Sequence, residues 1–216
     1  ATIVQLGLTD KTIVVVTGDH GEGLGEHDEP THAMFLYSTT LHVPLFIEVP
    51  GGRERRIPGI VRHTDVAPTI LDLLGLPPGS DMQGASLLPL INGEEKVGRE
   101  AYSESIYAKV HYGWSPQRSI TTMKYEYIDT PKAELYDRQE DPRQLRNLIE
   151  TKADVAVGLK ERLEAIVDRF TRQDLAGPVK MDADTEAKLR SLGYLGSPVA
   201  ASPESLAIDP KDKSSF

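Results

Sequence analysis

Thr12-Ile13-Val14-Val15-Val16-Thr17, followed at once by Gly18-Asp19-His20-Gly21-Glu22-Gly23-Leu24-Gly25-Glu26-His27, is the stretch on which the fold turns. Residues 12–17 are β-branched or apolar without a polar break. A strand with one wet face alternates apolar and polar side chains, so this one reads as covered on both faces, as in a parallel sheet. Its carboxyl end opens into a polar, glycine-rich loop. Open α/β sheets hold their ligands at that end of a strand.

Outward from there, Val43 to Val49 is a second such strand, with Pro44 near its start and Pro50-Gly51-Gly52 as its stop. Residues 33–41 (Met34, Phe35, Tyr37, Leu41) suit a short helix. Thr64 is placed to cap a helix running to Leu74, with Pro68 in the first turn and Gly75 at the left-handed C-terminal cap. Strand alternating with helix predicts an α/β fold. Ala101 to Ile106 is a further strand. Arg118–Met123, Tyr125–Ile128 and Glu134–Tyr136 then form short strands separated by turn residues, an antiparallel meander. Ala156, Leu159, Leu163, Ile166 and Phe170 make one apolar stripe on a helix over residues 152–172, and the meander is its natural partner. The chain therefore divides into residues 1–115, an α/β part carrying the site, 116–172, a small sheet plus helix, and 173–216, a linker or tail.

The 216 residues carry 24 Lys plus Arg against 33 Asp plus Glu, a formal charge of −9, which excludes coating of nucleic acid by a basic face. There is no cysteine, so disulfides, thiolate nucleophiles and Cys-ligated zinc are excluded together. No apolar run approaches the roughly 18 residues of a bilayer span. The opening Ala1-Thr2-Ile3-Val4, without Met, reads as the start of a piece of a longer protein.

Between Asp19 and His32 lie five carboxylates and three histidines, interleaved with glycines that let the backbone fold tightly. Asp and Gly are ordinary turn formers, and a single loop His is ordinarily a surface residue. The cluster at a strand end outweighs that reading: a carboxylate beside an imidazole supplies two ligands to one divalent metal. The loop has no Lys to hold a phosphate by itself. Glu22 is placed to orient His20 or His27, with a solvated loop charge as the alternative. Elsewhere, His42 and His63 read as surface residues and Asp65 as a helix-start carboxylate. His111, Tyr112 and Trp114 read as packing of the meander or as a pocket wall.

Thr17-Gly18-Asp19-His20-Gly21-Glu22, Leu24-Gly25-Glu26-His27, His32, Tyr37 and Leu41-His42-Val43-Pro44-Leu45 resemble the second half of sulfatases in the alkaline phosphatase superfamily. The resemblance continues through Asp65-Val66-Ala67-Pro68-Thr69-Ile70-Leu71-Asp72-Leu73-Leu74-Gly75, Gly84-Ala85-Ser86-Leu87, Lys124-Tyr125, Glu134-Leu135-Tyr136-Asp137, Asp141-Pro142 and Asn147-Leu148. It implies part of an alkaline-phosphatase-like, mostly parallel sheet with flanking helices. By that resemblance Asp19 and His20 are metal ligands, and His32 is the catalytic and substrate-binding histidine. His27 is a second substrate-binding candidate.

The implied metal is Ca²⁺, with Zn²⁺ or Mn²⁺ as alternatives, and the implied nucleophile is a formylglycine made within Cys/Ser-x-Pro-x-Arg. Ser115-Pro116-Gln117-Arg118 lacks the required spacing, so the formylglycine is expected in a missing N-terminal half and these 216 residues are expected to be inactive alone. The implied substrate is a sulfate ester. A phosphate ester, in a phosphodiesterase or phosphoethanolamine-type transferase, is the first alternative, and a non-catalytic scaffold relative is the second. The resemblance also implies an extracytoplasmic protein. Leu189-Arg190-Ser191-Leu192-Gly193-Tyr194-Leu195-Gly196 and Asp209-Pro210-Lys211-Asp212 resemble a junction to helical repeats beyond the C-terminus.

Overall fold

A computed structural model describes residues 2–95, 99–171, 182–191 and 202–213. Its strands are β1 (Val14–Thr17), β2 (Leu45–Glu48), β3 (Ala101–Ser105), β4 (Gln117–Thr121), β5 (Tyr125–Asp129) and β6 (Glu134–Asp137). Its helices are α1 (Thr2–Gln5), α2 (Ser38–Leu41), α3 (Val66–Leu73), α4 (Leu88–Asn92), α5 (Tyr107–Tyr112), α6 (Ala153–Phe170), α7 (Ala183–Ser191) and α8 (Pro203–Leu206). The chain divides into two compact units, Ala1–Gly21 with Leu41–Ala101, and Glu22–Thr40 with Tyr102–Phe216. The α/β class read from the sequence is the class observed. No helix among the described residues is long and apolar enough to cross a membrane.

In the first unit β1 and β2 pair with each other, but antiparallel, Val14 opposite Glu48 and Thr17 opposite Leu45. The parallel neighbours read from residues 12–17 are thus not supplied by β2. The two-sided burial is also absent, since Val16 is 55% and Phe46 66% exposed. The physical reason is that β1 has no second neighbour in its sheet among the described residues. The β-branched run specifies a strand suited to double coverage, and only part of that coverage comes from these residues.

Helix α3 forms where expected and ends at Gly75, whose φ of 68° needs no Cβ-bearing residue to be strained into it. Its start differs. A short turn, His63–Asp65, precedes it, and the Asp65 carboxylate rather than Thr64 accepts a backbone N–H, that of Arg62, at 3.0 Å. Asp65 is also more than a helix-start charge: it is 0% exposed and meets Arg62 at 2.8 Å and Arg99 at 3.1 Å. The Ala85 N–H completes the set at 3.0 Å. Burial opposes its charge, but Arg62, the Ala85 N–H and Arg99 prevail and hold it below the usual carboxylate range. The preceding Gly84 is needed because a Cβ there would overlap the Thr64 carbonyl.

The second unit contains the meander, in the order β3-β4-β5-β6, with β4, β5 and β6 antiparallel. The register lines up Ile120, Tyr127 and Leu135 across one face. On that face sit Ala156, Leu159 and Leu163 of α6, forming one buried apolar cluster. Full burial of a leucine contributes roughly 2–3 kcal/mol, so this stripe anchors the helix. The other face, Ser119 and Thr121, Glu126 and Ile128, Glu134 and Tyr136, is largely polar, and long-range bonds reach part of it. Gln117 donates to the Met34 carbonyl at 2.9 Å, and Gln144 donates to Glu126 at 3.1 Å while accepting from the Ser38 N–H at 2.6 Å.

Only Ser38–Leu41 of the expected helix over 33–41 is helical. The Met34 and Phe35 N–H groups go to the buried Glu29 carboxylate, at 2.8 and 3.3 Å, instead of to helical carbonyls. Within residues 173–216, expected as a linker or tail, the last described part docks on the rest of the second unit. Asp209 there is 1% exposed and accepts the Lys132 N–H at 2.8 Å, and the Ile208 carbonyl accepts the Ser115 N–H at 3.1 Å. Residues 192–196 of the junction motif lie outside the described residues.

Candidate functional site

Each compact unit contributes its own group of chemistry-bearing residues. In the first, β1 ends at Thr17 and the chain turns through Gly18, whose carbonyl accepts a hydrogen bond from His63 Nε2 at 2.8 Å. His63, read as a surface residue, thus pins the turn. Asp19 and His20 follow with their side chains together, His20 Nε2 lying 3.7 Å from Asp19 Oδ2. The Asp19 carboxylate also accepts the His20 N–H at 3.0 Å, which fixes its direction.

His20 Nδ1 lies 2.7 Å from the Gly21 carbonyl oxygen. A carbonyl only accepts, so Nδ1 carries the proton, and in the neutral ring the lone pair is on Nε2. Two electron-pair donors, Nε2 and Oδ2, therefore face each other. Ligand atoms about 2.0–2.6 Å from one divalent ion are separated by roughly 3–4 Å when adjacent in its shell. The observed 3.7 Å fits that spacing. The Asp19–His20 pair offers two donor atoms at a separation compatible with neighbouring positions around one ion.

In the second unit residues 22–32 close on themselves. The Gly23 N–H donates to the Thr31 carbonyl at 2.6 Å and the Gly25 N–H to the Glu29 carbonyl at 3.0 Å. A Cβ at Gly23 would stand 2.5 Å from the Glu29 oxygen and 2.9 Å from the Thr31 oxygen, so only glycine permits this closure. Just outside the crossing, His32 Nδ1 faces both oxygens of Glu22, at 3.1 and 3.2 Å. A carboxylate accepts from Nδ1–H and directs Nε2 outward as the ring's second point of contact. The residue that Glu22 orients is His32, a pairing across ten positions that the sequence did not disclose.

His27 is placed differently from its expected role. Its ring lies flat on Tyr37, centroids 3.6 Å apart and planes 13° from parallel, and its Nε2 contacts the Arg143 carbonyl at 3.2 Å. Its backbone is left-handed, φ 54°, a strained conformation for a side chain-bearing residue. Both the ring face and a ring nitrogen are engaged in holding the loop. His27, named from the resemblance as a substrate-binding candidate, is thus held by the loop's own packing. Tyr112 and Trp114 likewise stack on each other, at 4.4 Å.

Comparison with known proteins bears on these groups. The family model for "N-sulphoglucosamine sulphohydrolase, C-terminal" matches residues 25–169. The Δ4,5-hexuronate-2-O-sulfatase of Bacteroides thetaiotaomicron is 29% identical over 85% of this chain and 40% of its own length. A solved structure of a protein in complex with its substrate, D-glucosamine-2-N,6-O-disulfate, is 29% identical over 80% of this chain and 37% of its own, with a TM-score of 0.66. The phosphonate monoester hydrolase of Agrobacterium radiobacter is 28% identical over 83% of this chain and 41% of its own, with a TM-score of 0.60. The chain thus spans 40% or so of the length of such relatives.

Proposed function

This chain belongs to the N-sulphoglucosamine sulphohydrolase, C-terminal family of sulfatases, and from that premise we propose that it supplies part of a metal and anion site for hydrolysis of a sulfate ester. Asp19 and His20 hold a divalent cation, Ca²⁺ on family grounds and Zn²⁺ or Mn²⁺ as alternatives for a site with an imidazole ligand. Such a cation, when bound, offsets negative charge on the ester oxygens. His32, oriented through Nδ1 by Glu22, presents Nε2 to an ester oxygen as a hydrogen-bond donor, where charge develops as the S–O bond breaks. The nucleophile, a formylglycine, comes from residues outside these 216, which contain no Cys/Ser-x-Pro-x-Arg stretch.

The observation that carries this reading is the Nδ1–H of His20 on the Gly21 carbonyl, which turns the lone pair of Nε2 toward Asp19. The test is calorimetric titration of the chain with Ca²⁺, Mn²⁺ and Zn²⁺, beside Asp19→Asn and His20→Ala. One of the three cations binds the parent chain, and each substitution weakens it about 10-fold or more. Equal affinity in parent and variants overturns the assignment. Turnover of an aryl sulfate by the 216-residue chain alone would equally overturn the placement of the nucleophile elsewhere.

A second reading, hydrolysis of a phosphonate monoester or phosphodiester, is favoured by the likeness to the Agrobacterium radiobacter enzyme. Matched sulfate, phosphonate and phosphodiester substrates given to a longer protein containing this chain separate the two.

A further inference from the structure

We propose that Ile208–Asp212 form a clasp and that Lys211 within it is a positioning residue for the histidine-bearing loop of residues 22–40. All the groups involved lie in the second compact unit. Its importance for turnover rests on the sulfatase reading above; the packing itself does not.

The centre of the arrangement is Glu134 on β6. Its carboxylate accepts hydrogen bonds from Tyr37 Oη and Tyr136 Oη, each at 3.0 Å, and pairs with Lys211 Nζ at 3.1 Å. Burial, then the charge of Glu134, pushes both phenols above the usual tyrosine range, so they stay protonated and donate. Two neutral donors satisfy lone pairs but do not balance a charge. Lys211 supplies the balance, its ammonium lying nearer Glu134 than the Asp209 carboxylate, which it meets at 3.6 Å, and a covered carboxylate that loses its counter-charge is costly.

Lys211 is itself located by contacts that only a docked C-terminal segment makes. Its ammonium reaches the Lys132 carbonyl at 2.8 Å and Thr130 Oγ1 at 3.2 Å. The buried Asp209 carboxylate accepts the Lys132 N–H at 2.8 Å and the Lys211 N–H at 3.0 Å. The side chains of Lys132 and Asp212 form a further ion pair. Both ends of the β5–β6 connection are therefore gripped.

From Glu134 the contacts run directly to the loop. Tyr37 holds its hydroxyl on Glu134, its edge toward Tyr136 at 6.2 Å and its face on the His27 ring. If the clasp opens, Glu134 draws water, Tyr37 loses its anchor, and the loop carrying His27 and His32 loosens at its base.

The test uses the 216-residue chain and its Lys211→Met, Lys211→Arg and Lys211→Met/Glu134→Gln variants. The readouts are the NMR signals of the His27 ring, displaced by the Tyr37 ring current, and amide exchange in residues 35–40 and in α6. Lys211→Met abolishes the displacement of the His27 signals and lowers amide protection in 35–40 about tenfold, while α6 stays protected. Lys211→Arg retains the parent signals. The double variant restores them, because a neutral amide at 134 no longer needs a cation. An unchanged His27 spectrum in Lys211→Met overturns the proposal. So does a failure of the double variant to restore it, or loss of α6 protection in step with 35–40, which would make Lys211 a general stability residue. In a longer, active protein Lys211→Met lowers kcat more than it changes KM. Absence of sulfatase turnover in that parent protein would count against the sulfatase reading and leave the spectroscopic result standing.

Discussion

Glu22 and His32 are bound to each other through Oε1 and Nδ1 at 3.1 Å, although neither is buried. An exposed pair of this kind contributes little to stability, about 0–1 kcal/mol. Its worth lies in fixing which ring nitrogen points outward. Glu22→Gln is therefore expected to leave the thermal midpoint almost unchanged and to lower kcat/KM of a longer, active protein by about 10- to 100-fold. Melting curves alongside steady-state kinetics check it; a large drop in midpoint with intact kinetics would reverse the assignment.

Gly23→Ala addresses the same loop through its backbone. The added Cβ meets two carbonyl oxygens that have no flexible end to move, so the Gly23–Thr31 hydrogen bond opens. A displacement of about 1 Å in a catalytic group costs roughly 100-fold in rate. Stopped or strongly slowed turnover with a folded chain by circular dichroism is the expected result.

Asp65→Asn removes the charge shared by Arg62 and Arg99 in the first unit. Breaking a buried pair by deleting one partner costs about 3–5 kcal/mol, and urea unfolding measures it. The folded pKa of Asp65 lies below its unfolded value, so its stabilisation is present above the unfolded pKa and is lost as pH falls through the folded one. The gap between parent and variant accordingly narrows below about pH 4.

Glu126 behaves in the opposite sense. It is almost wholly covered, and burial raises its pKa from 4.5 to about 7 against the opposing pull of Arg138 and Gln144. Its Oε1 and the Ser119 hydroxyl are the buried side-chain atoms without a hydrogen-bond partner among the described residues. The folded state holds the proton more tightly, so stability is full at acidic pH and declines as pH rises through about 7. A shift of this size corresponds to about 3 kcal/mol between pH 5 and 9. Glu126→Gln, measured by urea unfolding across that range, is expected to remove this slope and to be the more stable chain at pH 9.

The features legible in the sequence were those written in local periodicity or composition. The spacing of Ala156, Leu159 and Leu163 announced the face of α6, and turn residues divided the meander correctly. The loop after β1 was marked by its density of carboxylates and histidines. What stayed hidden were pairings between distant residues, which leave no periodic trace. Tyr37 finds Glu134 across 97 positions, and Gln144 finds Ser38 across 106. The false helix over 33–41 has the same origin, since no helical propensity reports that the Glu29 carboxylate will capture two N–H groups. The exposure of Val16 shows the converse: a residue pattern records the coverage a strand is suited to, whichever residues provide it.

The meander's two unlike faces have a further consequence. Because Tyr127 points to α6 and Glu126 to the opposite side, sliding β5 by one residue would drive a carboxylate in among Ile120, Leu159 and Leu163. Mispaired hairpins are thereby penalised while the sheet is still assembling. The sheet thus checks its own alignment through the side chains of β5.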